Sequence, residues 1–298
     1  MMRFKVYITL AALLVFSSVF LKLGIISGDD SEENLRAEES NLSLDVFRHN
    51  LNSAEAEPVK IAVLDSGISD HPDLQQKVEK QFNAINTDSA VIDDNGHGTA
   101  VAGIIASNKT GIGQNVQIYD VKVLDSEGKG NIKALVKGLT WAKENKVDII
   151  NISSGVQEDS PDLYQVVKEC IDNDILIVAS AGNTMGLSVD YPAKYDEVLS
   201  ITAVDKDFKR FNLAAKGKID YSAPGVNVYT TTENGMYDYV SGTSFATAYF
   251  TGLLSNVLLE DDLKSKNEFN DYIRPYIKDL GQKGYDKEYG FGIVTKIE

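Results

Sequence analysis

Short, largely apolar runs recur through the middle of the chain. Such runs predict β-strands that are buried on both faces. They cover Ile61 to Leu64, Ile118 to Leu124, Val147 to Ile152, Ile175 to Ala179 and Val198 to Val204. Between several of them the spacing is helical, as in Ile132 to Glu144 and Asp162 to Ile171. Strands that alternate with helices predict an α/β fold, a doubly wound and mostly parallel sheet with helices on both faces.

A further apolar segment, from Ala246 to Leu258, is apolar nearly all round, which predicts a buried helix. Before it, Gly242 allows a tight turn after the strand-like residues Tyr239 and Val240. Ser244 therefore stands where a turn becomes a helix, beside free backbone N–H groups and the positive end of the helix dipole. Taken alone, this stretch favours a helix cap at Thr243 or Ser244 over a nucleophile, because Ser and Thr are common N-caps.

The amino terminus carries Arg3 and Lys5, and an apolar run from Val6 to Leu21 follows. This pattern predicts a secretory signal or a membrane anchor, with the remainder exported and either secreted or held on the outer face of the membrane. If the run is retained, residues 6–26 form a membrane tether. We assign 1–27 to this segment, 28–57 to an acidic leader or linker, and 58–298 to a single globular domain.

The formal net charge is −15, which argues against a nucleic-acid partner, since such proteins need a cationic face. The single cysteine, Cys170, excludes an internal disulfide and a dithiol metal site. It falls on a predicted helix, where a packed or partly exposed thiol is the simplest interpretation.

Three residues with complementary chemistry follow one another in the order Asp, His, Ser. Asp65 ends an apolar strand, His97 lies between Gly96 and Gly98 at a predicted helix start, and Ser244 is the residue described above. A serine hydroxyl needs a base to take its proton, and a histidine base needs an acid that fixes its tautomer. Singly, Asp65 also suits a turn cap and His97 a structural histidine. Together they predict a catalytic triad.

With these residues in place, the chain resembles the subtilisin-like serine proteases, or subtilases, from about residue 58 to 252. The matching blocks, in family order, are Val63 to Ile68, Gly96 to Thr99, Val121 to Leu124, Ala181 to Asn183, Tyr221 to Gly225 and Gly242 to Ser244. The resemblance implies a serine endopeptidase in which Ser244 attacks the scissile carbonyl, His97 is the general base and Asp65 orients it. It also implies a peptide or protein substrate, a monomer, and chemistry without a cofactor.

The resemblance also suggests residues that hold the substrate. It implies that the side chain of Asn183 and the backbone N–H of Ser244 bind the oxyanion, although an Asn after Gly is also an ordinary turn former. Extended peptides add to exposed strand edges, and glycines let a second backbone approach closely. The residues that resemble the family's substrate edges are Gly128, Gly130, Ser153, Ser154 and Gly155.

Asp190 precedes Tyr191-Pro192-Ala193-Lys194-Tyr195, and this spacing matches the position at the base of the first specificity pocket of subtilases. A carboxylate there would pair with Arg or Lys of the substrate. The prediction is cleavage after a basic residue. The alternative is that Asp190 points to solvent in a variable loop.

Two departures from the family pattern bear on this interpretation. Phe245 to Phe250 lacks the proline and histidine that follow the serine in most relatives, and the loop Asn108 to Gly113 is shorter than the one that commonly carries calcium. We therefore assign no metal ligand, although oxygen-rich loops elsewhere would still suit weak structural calcium. The leader is short for an inhibitory propeptide, as in specialised subtilases that remove leader peptides from bacteriocin or lantibiotic precursors.

We therefore predict an exported processing protease of that kind. One alternative is a general degradative subtilase. Another is a catalytically silent subtilase-like domain that binds peptides, against which the intact Asp65, His97, Asn183 and Ser244 argue. An α/β-hydrolase is disfavoured, because that fold orders its triad Ser, acid, His and uses Gly-x-Ser-x-Gly.

Overall fold

A computed structural model of the protein describes residues 57–295. The predictions for the amino-terminal segment and for the leader up to residue 56 lie outside the described residues. The strands, in chain order, are β1 Val59–Asp65, β2 Val78–Asn83, β3 Val116–Lys122, β4 Ile149–Ile152, β5 Leu176–Ser180, β6 Leu199–Val204, β7 Tyr221–Pro224, β8 Val228–Thr231, β9 Tyr237–Val240, β10 Ile277–Lys278 and β11 Ile293–Val294.

The helices are α1 His97–Ala106, α2 Ile132–Glu144, α3 Pro161–Ile171, α4 Thr243–Glu260 and α5 Lys266–Ile273, with a short 3₁₀ turn at Arg274–Tyr276. Nine strands form one sheet in the order β10-β11-β7-β6-β5-β4-β1-β3-β2. All neighbouring pairs are parallel except β10 with β11. Strands β8 and β9 form a separate antiparallel hairpin.

Two apolar cores lie on opposite faces of this sheet. One contains side chains of α1, α4 and α5, and the other contains side chains of α2 and α3. Helix α4 is buried at every residue from Thr243 to Val257, as a sequence that is apolar nearly all round predicts. These layers confirm the predicted doubly wound, mostly parallel α/β fold.

The order of the strands reverses at β1, which pairs with β3 on one side and with β4 on the other. The connections diverge at this switch point and leave a crevice at the carboxyl ends of the central strands. Asp65 is the last residue of β1, Ser153 follows β4, and Ser180 ends β5. The fold thus gathers several of the predicted site residues at one edge of the sheet.

The apolar pattern did not predict strand β2, which lies at the edge of the sheet next to β3. Its sequence, Val-Glu-Lys-Gln-Phe-Asn, is largely polar, and its middle residues are exposed. An edge strand faces solvent and needs no continuous apolar run. Among the helices of residues 57–295, none combines the length and apolarity that crossing a membrane requires.

Candidate active site

Asp65 and His97 are in direct contact. The Oδ1 atom of Asp65 lies 2.8 Å from Nδ1 of His97, and it also accepts a hydrogen bond of 2.8 Å from the backbone N–H of Ser66. Asp65 is almost fully buried, at 1% exposure. A carboxylate at this position holds the imidazole with the proton on Nδ1, which leaves Nε2 free to accept a proton.

A close approach of two backbones produces this contact. His97 is the first residue of α1, and Gly96 before it has a φ of 89°, in the left-handed region that favours glycine. A Cβ atom on Gly98 would lie 2.1 Å from the carbonyl oxygen of Gly67. Only glycine at position 98 lets the start of α1 rest on the turn that follows Asp65.

The surroundings of His97 favour its protonated form. Burial lowers the pKa of His97, but the charge of Asp65, the hydrogen bond that the His97 ring donates to Asp65 and the charge of Asp93 raise it more. The pKa of His97 therefore lies above its usual 6.5. A base of this kind is neutral, and able to accept a proton, only above that raised pKa.

Ser244 is the second residue of α4, and its side chain points back to the end of β4. Its hydroxyl donates to the backbone carbonyl of Ser153 at 2.8 Å, and the Ser153 hydroxyl donates to the Ser244 carbonyl at 3.1 Å. The cap position of α4 belongs to Gly242, which has no side chain to donate or accept. Ser244 is therefore not the cap of the helix, so the simpler of the two explanations from the sequence is wrong.

Two further groups fix the start of α4. Asn151 on β4 donates from Nδ2 to the Ser153 hydroxyl at 2.9 Å and accepts from the Thr251 hydroxyl at 2.8 Å. Phe245, next to Ser244, packs against the His97 ring with the ring centroids 5.3 Å apart. Asp65, His97 and Ser244 thus lie on three elements, β1, α1 and α4, that meet at one edge of the sheet.

Asn183 lies beside the start of α4 with its amide in a defined orientation. Its Oδ1 atom accepts from the backbone N–H of Thr243 at 3.3 Å and from the Thr243 hydroxyl at 3.0 Å. The Thr243 hydroxyl in turn lies 2.8 Å from the hydroxyl of Ser180. These contacts use the amide oxygen of Asn183 and leave its NH₂ group to donate elsewhere. The sequence patterns did not single out Thr243 for this role, because its contact crosses 60 residues of chain.

Asp190 lies between two glycines of neighbouring segments. A Cβ atom on Gly155 would lie 2.6 Å from Cβ of Asp190, and one on Gly182 would lie 2.4 Å from Oδ2 of Asp190. Burial raises the pKa of the Asp190 carboxyl group. Among residues 57–295, no side chain or backbone donor pairs with this carboxylate. The carboxyl group of Asp190 is therefore half-buried and lies next to Gly155 and Gly182, the residue that precedes Asn183.

The two segments that resemble substrate edges face each other. Gly128, Gly130, Ser154 and Gly155 line one shallow cavity, together with Val123, Leu124, Asn131, Leu135 and Val156. Leu124 and Gly130 form an isolated antiparallel bridge, so the chain doubles back at this edge. Ser153 and Ser244 do not line this cavity.

One buried lysine lies close to the predicted triad. Lys122 at the end of β3 donates from Nζ to the carbonyl of Ser66 at 2.6 Å and to Oδ1 of Asp94 at 2.8 Å. It thereby connects the turn after Asp65 with the loop that precedes His97. The charge of Lys122 also offsets part of the local negative charge.

Cys170 is buried on α3, and burial raises the pKa of its thiol to about 12. A thiol of this kind is packed and unreactive at neutral pH. Within residues 57–295, no group of three or more His, Cys, Asp or Glu side chains is arranged to hold a metal ion.

The fold and the site together define a class of protein. A doubly wound sheet that brings an Asp, a His and a Ser together at its carboxyl edge, in that chain order, is the arrangement of a serine hydrolase of the subtilisin kind. The model of the subtilase family matches residues 56–292, which is most of the chain. The chain belongs to the subtilase family.

Individual relatives agree with this assignment. The minor extracellular protease Epr of Bacillus subtilis is 36% identical over 243 residues, which are 79% of this chain and 37% of Epr. The thermostable alkaline protease of Halalkalibacterium halodurans is 37% identical over 241 residues, which are 79% of this chain and 65% of that protein. The chain thus spans less than two thirds of both. Subtilisin DY of Bacillus licheniformis is 35% identical over 248 residues, which are 80% of this chain and 89% of that protein.

Among solved structures, a cold adapted subtilisin-like serine proteinase superposes with a TM-score of 0.76. The match covers 87% of this chain and all of that one, at 22% sequence identity. This likeness supports the fold alone. Catalysis in subtilisins requires no cofactor, in agreement with the chemistry predicted from the sequence.

Proposed function

We propose that this chain is a serine endopeptidase in which Ser244 is the nucleophile, His97 the general base and Asp65 the acid that orients it. The observation that carries this proposal is the 2.8 Å contact between Asp65 and Nδ1 of His97, with Phe245, the neighbour of Ser244 in α4, packed against the His97 ring. In the first step the Ser244 hydroxyl leaves its acceptor on Ser153 and gives its proton to Nε2 of His97. The oxygen then attacks the scissile carbonyl.

His97 next returns this proton to the leaving amine, and the acyl group stays on Ser244. A water molecule then repeats the sequence and releases the acid product, with His97 again taking and returning the proton. During both halves the NH₂ group of Asn183 and the backbone N–H of Ser244 donate to the oxyanion. The hydrogen bonds from Thr243 to the Asn183 oxygen support this role, because they orient the amide before substrate arrives.

The proposal extends to the residue before the cut. The carboxylate of Asp190 lies against Gly155 and Gly182, has no cation partner among the described residues and is half-buried. A substrate Arg or Lys would supply the missing charge in a partly dry setting, where a charge-assisted hydrogen bond is strong. Gly128, Gly130, Ser153, Ser154 and Gly155 would hold the peptide as an added strand.

The biological role is proposed on the same grounds. A preference for basic residues suits a dedicated processing protease, such as one that removes leaders from bacteriocin or lantibiotic precursors. Export is supported by the basic residues and apolar run of the amino terminus and by the relative Epr, which is described as extracellular.

The test is mass spectrometry of a mixed peptide library after incubation with the purified chain and with its Ser244→Ala variant. Cuts made by the wild type alone, mostly after Arg or Lys, would support all parts of the proposal. Scattered cuts made by the wild type alone would keep the endopeptidase and overturn the preference. The absence of cuts by both proteins would instead favour a silent peptide-binding domain. An unfolded protein digested at many sites would identify a general degradative protease.

A further inference from the structure

Asp93, four residues before His97, is a buried acid that no motif singled out. It is 8% exposed, and all its hydrogen-bond donors are uncharged. Its Oδ1 atom accepts from the Ser66 hydroxyl and the Gly96 N–H, both at 2.8 Å. Its Oδ2 atom accepts from the backbone N–H of Thr99 at 3.0 Å and from the Thr99 hydroxyl at 2.5 Å.

These contacts complete the first turn of α1. The first N–H groups of a helix have no partner within the helix, and a side chain at the cap position usually supplies one. Here the cap residue is Gly96, which makes no side-chain hydrogen bond. Asp93 supplies the missing acceptors from outside the helix, for the N–H groups of Gly96 and Thr99.

The same carboxylate reaches the residue next to Asp65. The Ser66 hydroxyl donates to Asp93 and accepts from the backbone N–H of Gly98 at 2.9 Å. The backbone N–H of Ser66 donates to Asp65. Asp93 therefore joins the chain segment that carries His97 to the segment that carries Asp65, across 27 residues of sequence.

Several charged groups surround His97. Asp65 faces it from β1, Asp93 and Asp94 come from the loop before α1, and Lys122 reaches the Ser66 carbonyl from β3. Of these, Asp65 and Asp93 raise the pKa of His97.

Two more acids complete these surroundings. Glu233, in the turn between β8 and β9, lies against Gly96, and Asp120 on β3 is buried and accepts a hydrogen bond from the backbone N–H of Ile68. Asp94 differs from Asp93 because its side chain is 47% exposed and pairs with Lys122. Asp94→Asn is therefore a suitable control for Asp93→Asn, because the two acids are adjacent in sequence but differ in burial and in their partners.

We propose that Asp93 is a positioning residue for the catalytic pair: it clamps the start of α1 against the turn that follows Asp65, and so fixes His97 on Asp65. Its role is to hold the imidazole in place and to place a second negative charge near it. This inference rests on the proposed function only for its kinetic readout.

The test compares Asp93→Asn with the matched control Asp94→Asn. Asn keeps one acceptor oxygen but loses the charge and replaces the other oxygen with a donor. We expect Asp93→Asn to lower kcat by about tenfold with KM unchanged. The reason is that the variant loses a hydrogen bond to a charged acceptor, and such a bond contributes a free energy equivalent to about a factor of ten. We also expect the acid limb of kcat/KM to move to lower pH by about half a unit, as for loss of one nearby charge. Asp94→Asn should leave the acid limb in place.

A second variant separates the clamp from the charge. Ser66→Ala removes the hydroxyl that links Asp93 to Gly98 but keeps the carboxylate, so kcat should fall several-fold with the acid limb unmoved. If Asp93→Asn and Asp94→Asn gave the same pH profile and the same kcat, the inference would be overturned. A tenfold change in the KM of Asp93→Asn with an unchanged kcat would also overturn the inference.

A readout that needs no activity keeps this test independent of the proposed function. The pKa of the His97 imidazole is measured by NMR in the Ser244→Ala chain, with and without Asp93→Asn, and the resonance is assigned with His97→Gln. A lower imidazole pKa in the Asp93→Asn chain supports the placement of the Asp93 charge beside His97 even if no peptide is cut. An unchanged imidazole pKa overturns it even if the chain is an active protease.

Discussion

The hydroxyl of Ser244 donates to the backbone carbonyl of Ser153, with the two oxygens 2.8 Å apart. This hydrogen bond holds the side chain close to the end of β4, while the ring of His97 is held by Asp65. Catalytic hydrogen bonds often tighten only when substrate is bound. In the mechanism that we propose, the Ser244 hydroxyl leaves the Ser153 carbonyl and turns toward Nε2 of His97.

The reactivity of Ser244 gives the first prediction. A fluorophosphonate probe should modify Ser244 in the wild type and nothing in the Ser244→Ala chain, as read by peptide mass spectrometry. His97→Gln should slow labelling by about 10² or more, because it removes the general base. Ser241→Ala removes a nearby hydroxyl whose contact is with the N–H of Asn227, so labelling should persist. Labelling that is equally fast without His97 would contradict the assigned base.

Asn183 gives the second prediction. Asn183→Leu removes the NH₂ donor and should lower kcat by about 10² to 10³ with little change in KM, a magnitude known from the equivalent donor in subtilisin and carried over here. Thr243→Val removes only the hydroxyl that orients the Asn183 oxygen, so its loss in kcat should be smaller, about three- to tenfold. Steady-state kinetics on one peptide measures both. Equal losses in the two variants would argue against a direct role of the amide.

The pH dependence of selectivity tests Asp190. Burial raises the pKa of this carboxyl, so its charge is lost at a higher pH than for an exposed aspartate as the solution is acidified. The ratio of kcat/KM for an Arg peptide over a Leu peptide should therefore be largest above the pKa of Asp190 and fall toward one below it. Because both peptides share His97, its titration cancels in the ratio.

Asp190→Asn is the matching variant for this test. It should lower the ratio by about ten- to a hundredfold at neutral pH and abolish its dependence on pH, since a charged hydrogen bond contributes about 1.5–3 kcal/mol. A ratio that stays high in the Asp190→Asn chain would place the source of selectivity elsewhere.

Part of this structure could be predicted from the sequence because the signal was local. Helix α2 has the predicted bounds, Ile132–Glu144, since an apolar stripe and an Asn cap at position 131 define it. Strand β5 lies within one residue of the predicted run, because a central parallel strand is apolar throughout. Strand β10 covers only Ile277–Lys278, too short for any period to appear.

The site divides in the same way. Asp65, His97 and Ser244 stand out because their neighbouring glycines and apolar runs mark turns at element ends. Asp93 has no such marker, since its proposed role depends on contacts with Ser66, 27 residues away, and with the folded start of α1. The acceptor of the Ser244 hydroxyl lies 91 residues away on Ser153, so only the folded chain reveals it.

Gly98 gives the last prediction, on stability. In Gly98→Ala the new methyl would meet the Gly67 carbonyl oxygen at 2.1 Å, and this backbone atom cannot move aside without displacing the turn after Asp65. We expect a loss of about 1–3 kcal/mol in the free energy of unfolding, the usual cost of overpacking, together with a fall in kcat because His97 moves away from Asp65. Gly284→Ala is the control: its φ is 84° but nothing lies within 4 Å, so it should lose only about 1 kcal/mol and keep full activity. Urea unfolding in the Ser244→Ala background, which prevents self-digestion, measures both free energies, and assays with Ser244 intact measure kcat. A Gly98→Ala chain with normal kcat would show that the close approach of α1 to β1 is not what aligns the catalytic pair.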